Sequence, residues 1–377
     1  MKIGFICNEY PPSTCGGIGT FTRELAEQLV ALEHEVRVIG VYADIQRATV
    51  VEQNQVIVER LPATAGWRGI VSNRRRLYQR VKQLQNEGLI DLIESPDFEG
   101  YSAFWGKLTI PLVVRLHGTV TYFSHQLGQP VNPLIRLIER NALKSADKLV
   151  SVSHYAAKQS LDIFDLQKTY DLVHNGVAWP LATDVKQSYA YSGKVVFTGS
   201  IMPKKGVLSL ARAWPAVKQV FPDAELIIIG KDTQNRGVSV KAQMLEIVGK
   251  EHSITFTGHI SKQVLQDYLR DADVAIFPSF SESFGLGPVE SMALAVPTIY
   301  TELSCGPEII QHQENGLLVN PEHPQAIASS LIRLMSDEKQ RVFYGRAGRA
   351  HAAQFSVDAQ LMHNVNVFQQ VIETKSL

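Results

Sequence analysis

The chain has 377 residues, 45% hydrophobic and 20% charged, which suits two domains, because single cores stop growing beyond about 250–300 residues. Its 37 basic and 37 acidic residues cancel, which on bulk charge excludes a nucleic-acid partner. Three cysteines (Cys7, Cys15, Cys305) are too sparse for a disulfide scaffold, residues 3–7 are too short for a signal peptide, and no apolar run approaches the ~18 residues of a membrane span. A cytoplasmic protein is expected.

Residues 2–7 read as a first buried strand, followed by N-E-Y-P-P-S-T-C-G-G-I-G and a helix from about Thr20 with Leu25, Leu29 and Leu32 on one face. Residues 35–41 give the second strand, so the chain opens as β-α-β. A nicotinamide fingerprint fails here: Gly17 and Gly19 do not have the G-x-G-x-x-G spacing, and strand two ends Ile39-Gly40-Val41-Tyr42 with no acid for a ribose hydroxyl. Residues 67–84 form a basic, helical stretch. Its bland reading, a solvated helix face, is favoured over a patch for an anionic membrane or a phosphate-bearing acceptor, and residues 1–178 hold 19 basic and 18 acidic side chains, a net of only +1. Residues 89–94 and 112–116 are further strands, the latter ending in R-L-H-G-T, which places His117 at a strand's carboxyl end, where open α/β sheets bind ligands. Residues 146–157 read as a strand feeding a helix capped by Ser153. Residues 178–192 lack apolar periodicity and read as an inter-domain linker.

The second half opens with K-V-V-F-T-G-S-I-M-P-K-K-G (194–206), a strand and then a loop carrying Ser200, Lys204 and Lys205. Residues 224–230 and 254–260 are strands, the second leading into His259 and Ile260. D-A-D at 271–273 imitates a metal-binding D-x-D but precedes its strand, away from the ligand end, so it reads as structural and no metal or other cofactor is expected. Residues 274–277 form a buried strand that runs into P-S-F-S-E-S-F-G-L-G-P-V-E-S-M-A-L-A-V-P (278–297). Glu282 and Glu290 bracket a Gly-rich turn, with the helix opening near Pro288 and Glu290 in its first turn. Between them Phe284, Gly285, Leu286 and Gly287 can aim backbone N–H groups at an anion, aided by the positive helix terminus. Phosphate at one end and hydroxyls at the other describe a nucleotide sugar. The bland reading, turn glycines plus a Glu drawn to the helix terminus, explains Glu290 but leaves Glu282 unexplained.

E-S-F-G-L-G-P-V-E resembles the E-x7-E motif of the family-4 retaining glycosyltransferases, and the glycine loop, His117, Lys205 and N-G-L-L-V (315–319) follow in that family's order. The resemblance covers nearly the whole chain. It implies a GT-B fold: two Rossmann-like, doubly wound α/β domains facing across a cleft, residues 1–178 with a returning helix at about 358–377, and residues 193–357. It also implies roles. Glu282 contacts the donor sugar's hydroxyls, Glu290 the ribose, and the Phe284–Leu286 backbone, including Gly285, the sugar and diphosphate. Gly16, Gly17 and Gly19 close over donor phosphates and acceptor, His117 faces the donor sugar without acting as a deprotonating base, and His259 and Ile260 lie beside the nucleobase. Lys205 grips the β-phosphate, but Ser200 stands where relatives carry Arg, a charge-assisted contact worth roughly 1.5–3 kcal/mol.

The activity implied is metal-independent, retaining transfer of a hexose from a nucleotide-diphosphate sugar, by default uridine diphosphate glucose, with the departing diphosphate's oxygen taking the acceptor's proton. The acceptor is not legible; loops at 63–76 and 122–131 would choose it. A nucleotide-sugar 2-epimerase and a non-catalytic sugar-nucleotide binder are the alternatives, the latter suggested by Ser200.

Overall fold

A computed structural model describes residues 1–13, 16–249 and 253–376. The chain divides into two units, Met1–Asn175 with Gln360–Leu377, and Gly176–Ala359.

Unit 1 carries eight strands: β1 (Lys2–Ile6), β2 (Glu35–Tyr42), β3 (Thr49–Gln53), β4 (Val56–Pro62), β5 (Leu92–Pro96), β6 (Leu112–Leu116), β7 (Lys148–Ser151) and β8 (Tyr170–Leu172). Its helices are α1 (Gly17–Ala31), α2 (Gly66–Asn86), α3 (Val120–Gln126), α4 (Pro133–Ser145) and α5 (His154–Phe164). The strand order is β3-β4-β2-β1-β5-β6-β7-β8, parallel except for the β3–β4 pair. The direction of winding reverses between β1 and β5, so the crevice of such a sheet lies at their carboxyl ends. The β3–β4 hairpin has no counterpart in the sequence reading. β3 is an edge strand with residues 49–52 exposed, so no buried face imposes a period-two pattern.

Unit 2 carries β9 (Lys194–Thr198), β10 (Glu225–Ile229), a short hairpin of β11 (Gln234–Asn235) and β12 (Val238–Ser239), β13 (Ile254–Gly258), β14 (Val274–Phe277), β15 (Thr298–Thr301) and β16 (Leu317–Val319). Its helices are α6 (Val207–Val220), α7 (Val240–Val248), α8 (Lys262–Asp271), α9 (Leu286–Ala293), α10 (Gly306–Ile309), α11 (Pro324–Ser336) and α12 (Glu338–Ala352). The main sheet, β13-β10-β9-β14-β15-β16, is wholly parallel, and its winding reverses between β9 and β14. Helices on both faces explain why its central strands are apolar throughout: Val195 and Phe197 of β9, Leu226 and Ile228 of β10, and Val274 and Ile276 of β14 are all buried.

The last helix, α13 (Val357–Ser376), starts in unit 2 and continues in unit 1, where Leu361, Val367 and Phe368 join the core beside Phe5. The stretch at 178–192 is not a free linker. It belongs to unit 2 because its backbone and side chains are tied down there. Tyr189 Oη donates to the Ala295 carbonyl (2.9 Å), and buried Arg341 donates to the Tyr189 carbonyl through Nε (3.0 Å) and Nη2 (2.8 Å). Polar anchoring of this kind has no hydrophobic period to betray it.

Candidate active site

The switch point of unit 2 gathers the residues that follow β9 and β14. Lys205 Nζ lies 2.5 Å from Glu282 Oε1, and Ser279 Oγ donates to the same oxygen at 2.9 Å. Glu282's own N–H donates to Ser304 Oγ (3.2 Å), so the loop after β15 holds the loop after β14. The two side chains of the pair keep 25% and 13% of their surface, enough for a ligand to reach them. Lys204 shares this field: burial lowers its pKa first, and the neighbouring Lys205 charge lowers it further.

α9 begins at Leu286, two residues earlier than the Pro288 start read from sequence, and this puts Glu290 in the second turn rather than the first. Its Gly285 cap has a left-handed backbone (φ 86°) and offers no side-chain cap, so the first-turn amides point out unsatisfied by their own helix. The turn is held from below. Phe284 is buried against Phe355, and its carbonyl accepts from Tyr300 Oη (3.2 Å) and Cys305 Sγ (3.1 Å). Burial raises the Cys305 thiol far above its ordinary value, which fits a packing role.

Gly206 joins the two loops. It has φ 72°, and a Cβ there would stand 1.7 Å from the Pro278 backbone carbonyl oxygen. Gly206→Ala is therefore expected to destabilise unit 2 by about 3 kcal/mol, combining left-handed strain with a clash that no rotamer relieves. At about 2–4 °C per kcal/mol this lowers its melting temperature by roughly 10 °C in a thermal scan. Gly17→Ala, where nothing lies within 4 Å of the added Cβ, is the control and should melt with the parent.

The remaining residues of unit 2 spread along the same sheet edge. Ser200 is exposed after β9 and Gly199. His259 (exposed) and Ile260 follow Gly258 at the end of β13, two strands from β9. Glu290 lines a small hollow with Lys262, Gln266 and Leu269 of α8. The D-A-D carboxylates are used at the far end of β14: Asp273 accepts from the Ser192 and Gly193 amides (2.8–3.1 Å), and Asp271 faces Lys194 at 3.6 Å.

In unit 1 the glycine loop and His117 come together. α1 starts at Gly17, three residues before the sequence reading, and Phe21 on it meets the His117 ring edge-on at 5.0 Å. Leu32, read as part of the buried stripe, is the exposed residue that ends the helix. Gly16 and Gly17 are exposed, while Gly19 is buried and donates to Glu9 Oε1 at 2.6 Å. Glu9 thus already places a carboxylate at the positive end of α1, a partner the motif did not reveal. Thr14 and Cys15 of this loop lie outside the described residues. Asp97, fully buried at the end of β5, accepts from the His117 amide (2.9 Å) and the Gly118 amide (3.1 Å). Burial pushes its carboxyl up to about 7, against the pull of those two amides. Burial, with the Arg115 charge adding to it, lowers the His117 imidazole to about 3, so the ring is neutral at pH 7.

The basic stretch at 67–84 is a solvated cationic face only in part: Arg68, Arg75 and Lys82 are exposed, and the other three cations are tied inward. Arg74 is buried and donates to the Gly100 and Ile70 carbonyls, Arg76 donates to the Pro62 carbonyl, and Arg80 pairs with Glu59 through Nε (2.5 Å) and Nη2 (3.0 Å). Among the described residues no helix is long and apolar enough to cross a membrane.

Comparison with known proteins bears on the family and the fold. Residues 15–178 match the family model for Glycosyltransferase Family 4, and residues 192–337 match that for Glycosyl transferases group 1. The chain is 26% identical to an uncharacterized glycosyltransferase of Methanocaldococcus jannaschii over 99% of both chains. Among solved structures it resembles sucrose-phosphate synthase from Thermosynechococcus elongatus (TM-score 0.81, 20% identity, 99% of both chains). It also resembles Anabaena HepE in complex with UDP and glucose (TM-score 0.72, 18% identity, 98% of this chain and all of that one). The parallel α/β sheets in two units are those of the GT-B fold. The chain is a glycosyltransferase of the group 1, family-4 kind.

Proposed function

We propose that the chain transfers a hexose from a nucleotide-diphosphate sugar, a UDP-hexose by default, with retention of the anomeric configuration. The observation that carries this reading is the Lys205–Glu282–Ser279 cluster at the β9/β14 switch point, beside the open amino end of α9. A cation and unpaired amides suit a diphosphate, and a carboxylate suits sugar hydroxyls. Lys205 then neutralises charge developing on the leaving diphosphate, Glu282 orients the sugar, and Glu290 takes the ribose. His259 and Ile260 flank the base. The structure of HepE with UDP and glucose supports this class of donor.

Two details follow from this chain's own residues. Ser200 supplies at most a neutral hydrogen bond, so Lys204, which lies in the field of both Lys205 and Glu282, is the second cation for the phosphates. His117, neutral at pH 7 and held through its backbone by Asp97, donates or accepts a hydrogen bond with the sugar and carries no charge there. The charge on the leaving group is met by lysine and backbone amides, so the reaction is proposed to run without a metal.

The test is hydrolysis of a panel of nucleotide sugars, read as release of free nucleoside diphosphate with EDTA present. One UDP-sugar should turn over well above the others, and the released or transferred sugar should be the α-anomer by proton NMR. Turnover that EDTA abolishes would overturn the metal-free reading. Conversion of the donor to a second nucleotide sugar, with no diphosphate released, would favour the 2-epimerase. Binding with no turnover of any donor would leave a sugar-nucleotide binder.

A further inference from the structure

A second cluster of cations lies at the opposite end of the unit 2 sheet from the β9/β14 crevice. There α9 ends at Ala293 and the chain turns through Ala295 into β15, while residues 179–189 lie against that turn through the Lys186 amide on the Leu294 carbonyl (3.0 Å). Several cations here satisfy the carboxyl ends of helices, which is a structural duty. Arg341 is fully spent on it: its guanidinium donates to the carbonyls of Tyr189, Leu334 and Met335 and is buried.

Three other cations are not spent. Among the described residues Lys186 Nζ makes one hydrogen bond, to the Arg270 carbonyl at 3.0 Å, out of three donors, and lies over the Tyr189 ring at 5.6 Å. Arg349 donates to the Ala293 carbonyl and lies over the Trp179 ring at 4.7 Å, and its guanidinium has five donors. Arg346 is exposed, and among the described residues it makes no hydrogen bond or ion pair; its charge acts on Tyr189. These three line one cavity of ≈ 500 Å³ together with Trp179, Gln187 and Tyr189, and among the described residues no carboxylate lines it. The acids that act on Lys186, Asp273 and Asp271, are engaged elsewhere, with the Ser192 and Gly193 amides and with Lys194. Burial lowers the pKa of Lys186, which marks a charge short of solvent.

We propose that this cavity is a second anion site that takes a small phosphate-bearing molecule, its phosphate on Arg346, Arg349 and Lys186 and its organic part against Trp179 and Tyr189. Guanidinium forks match phosphate oxygens in pairs, and the volume falls in the range of small-molecule sites, well beyond what a bare phosphate fills. The site is independent of the donor reading, because none of its residues belongs to the crevice.

The experiment is a fluorescence titration of the full chain with glucose 6-phosphate, inorganic phosphate and glucose, following Trp179, one of four tryptophans. Glucose 6-phosphate should give a saturable change, inorganic phosphate a weaker one and glucose none. Arg346→Ala, which keeps the fluorophore and alters an exposed side chain, should weaken the apparent affinity at least tenfold, Trp179→Phe should abolish the signal, and Lys205→Ala should leave the titration as it was. No saturable response to either phosphate, or an unchanged affinity in Arg346→Ala, would overturn the proposal. A response lost in Lys205→Ala would also overturn it, by placing the anion in the donor crevice. Retention in Lys205→Ala upholds it whatever becomes of the donor assignment.

Discussion

Lys205→Ala is expected to lower kcat/KM for sugar transfer about 10²–10³-fold while costing about 1.5–3 kcal/mol of stability. The two effects have different origins. The activity loss follows from removing a preorganised charge aimed at the developing diphosphate, an effect of about 2.7–4 kcal/mol for comparable electrostatic donors. The stability cost is the smaller effect because, although the Lys205–Glu282 pair is mostly buried, 13% of the Glu282 side chain still meets solvent when the cation is gone. Glu282 also retains the Ser279 hydroxyl and, through its amide, Ser304. Paired kinetics and thermal melts separate the outcomes. Wild-type turnover in the variant would remove Lys205 from the active site, and a loss of activity matched by collapse of the melt would make its role structural.

Arg115→Ala is expected to be the most destabilising single change in unit 1, at about 3–5 kcal/mol. Arg115 is fully buried and forks onto Glu94 (Nε to Oε1 2.7 Å, Nη2 to Oε2 2.8 Å), while Nη2 also reaches Asn364 Oδ1 on α13 at 2.5 Å. Truncation leaves the Glu94 carboxylate buried without its cation, and this penalty sets the magnitude. It also removes the cation over the Phe21 ring (5.0 Å), which is the ring that meets His117. Urea unfolding followed by a unit 1 signal such as Trp105 should show the loss. Asn364→Ala should cost only about 1–2 kcal/mol, since the Arg–Glu fork survives. An Arg115→Met, Glu94→Leu double variant should recover most of the stability, because the pair's worth lies in not being half broken. Failure of the double variant to recover would mean that the Arg115–Asn364 tie to α13, rather than the unpaired carboxylate, sets the cost.

Much of the site was legible from local pattern. β14, the turn and α9 follow from a run of four apolar residues, glycines at 285 and 287, and a proline where its missing N–H does no harm. Glu282 stood out because nothing in a helix start requires it. His117 stood out because it ends a strand. These signals arise within about ten residues, the range over which period and propensity operate. Helix starts slipped by two or three residues at α1 and α9, since both have glycine at the N-cap (Gly16 and Gly285), which lacks the side-chain cap that marks a start.

The sequence by itself determined the run of alternating strands and helices, the absence of a charge excess, the loops that carry Lys205, Glu282 and His117, and the family those loops resemble. Only the tertiary structure decided how these groups are held. Ser304 and Ser279 brace Glu282, Glu9 occupies the positive end of α1, Asp97 clamps the His117 backbone, and 178–192 fastens to the turn after α9 and to α12 rather than hanging free. Within 67–84, Arg74, Arg76 and Arg80 turned inward to Glu59 and to backbone carbonyls, while Arg68, Arg75 and Lys82 stayed exposed. Apart from the local Ser279–Glu282 bond, these contacts join polar groups to partners distant in the chain. Hydrogen bonds and ion pairs of that kind impose no period on the chain and become definite only when packing brings the two partners within about 3 Å.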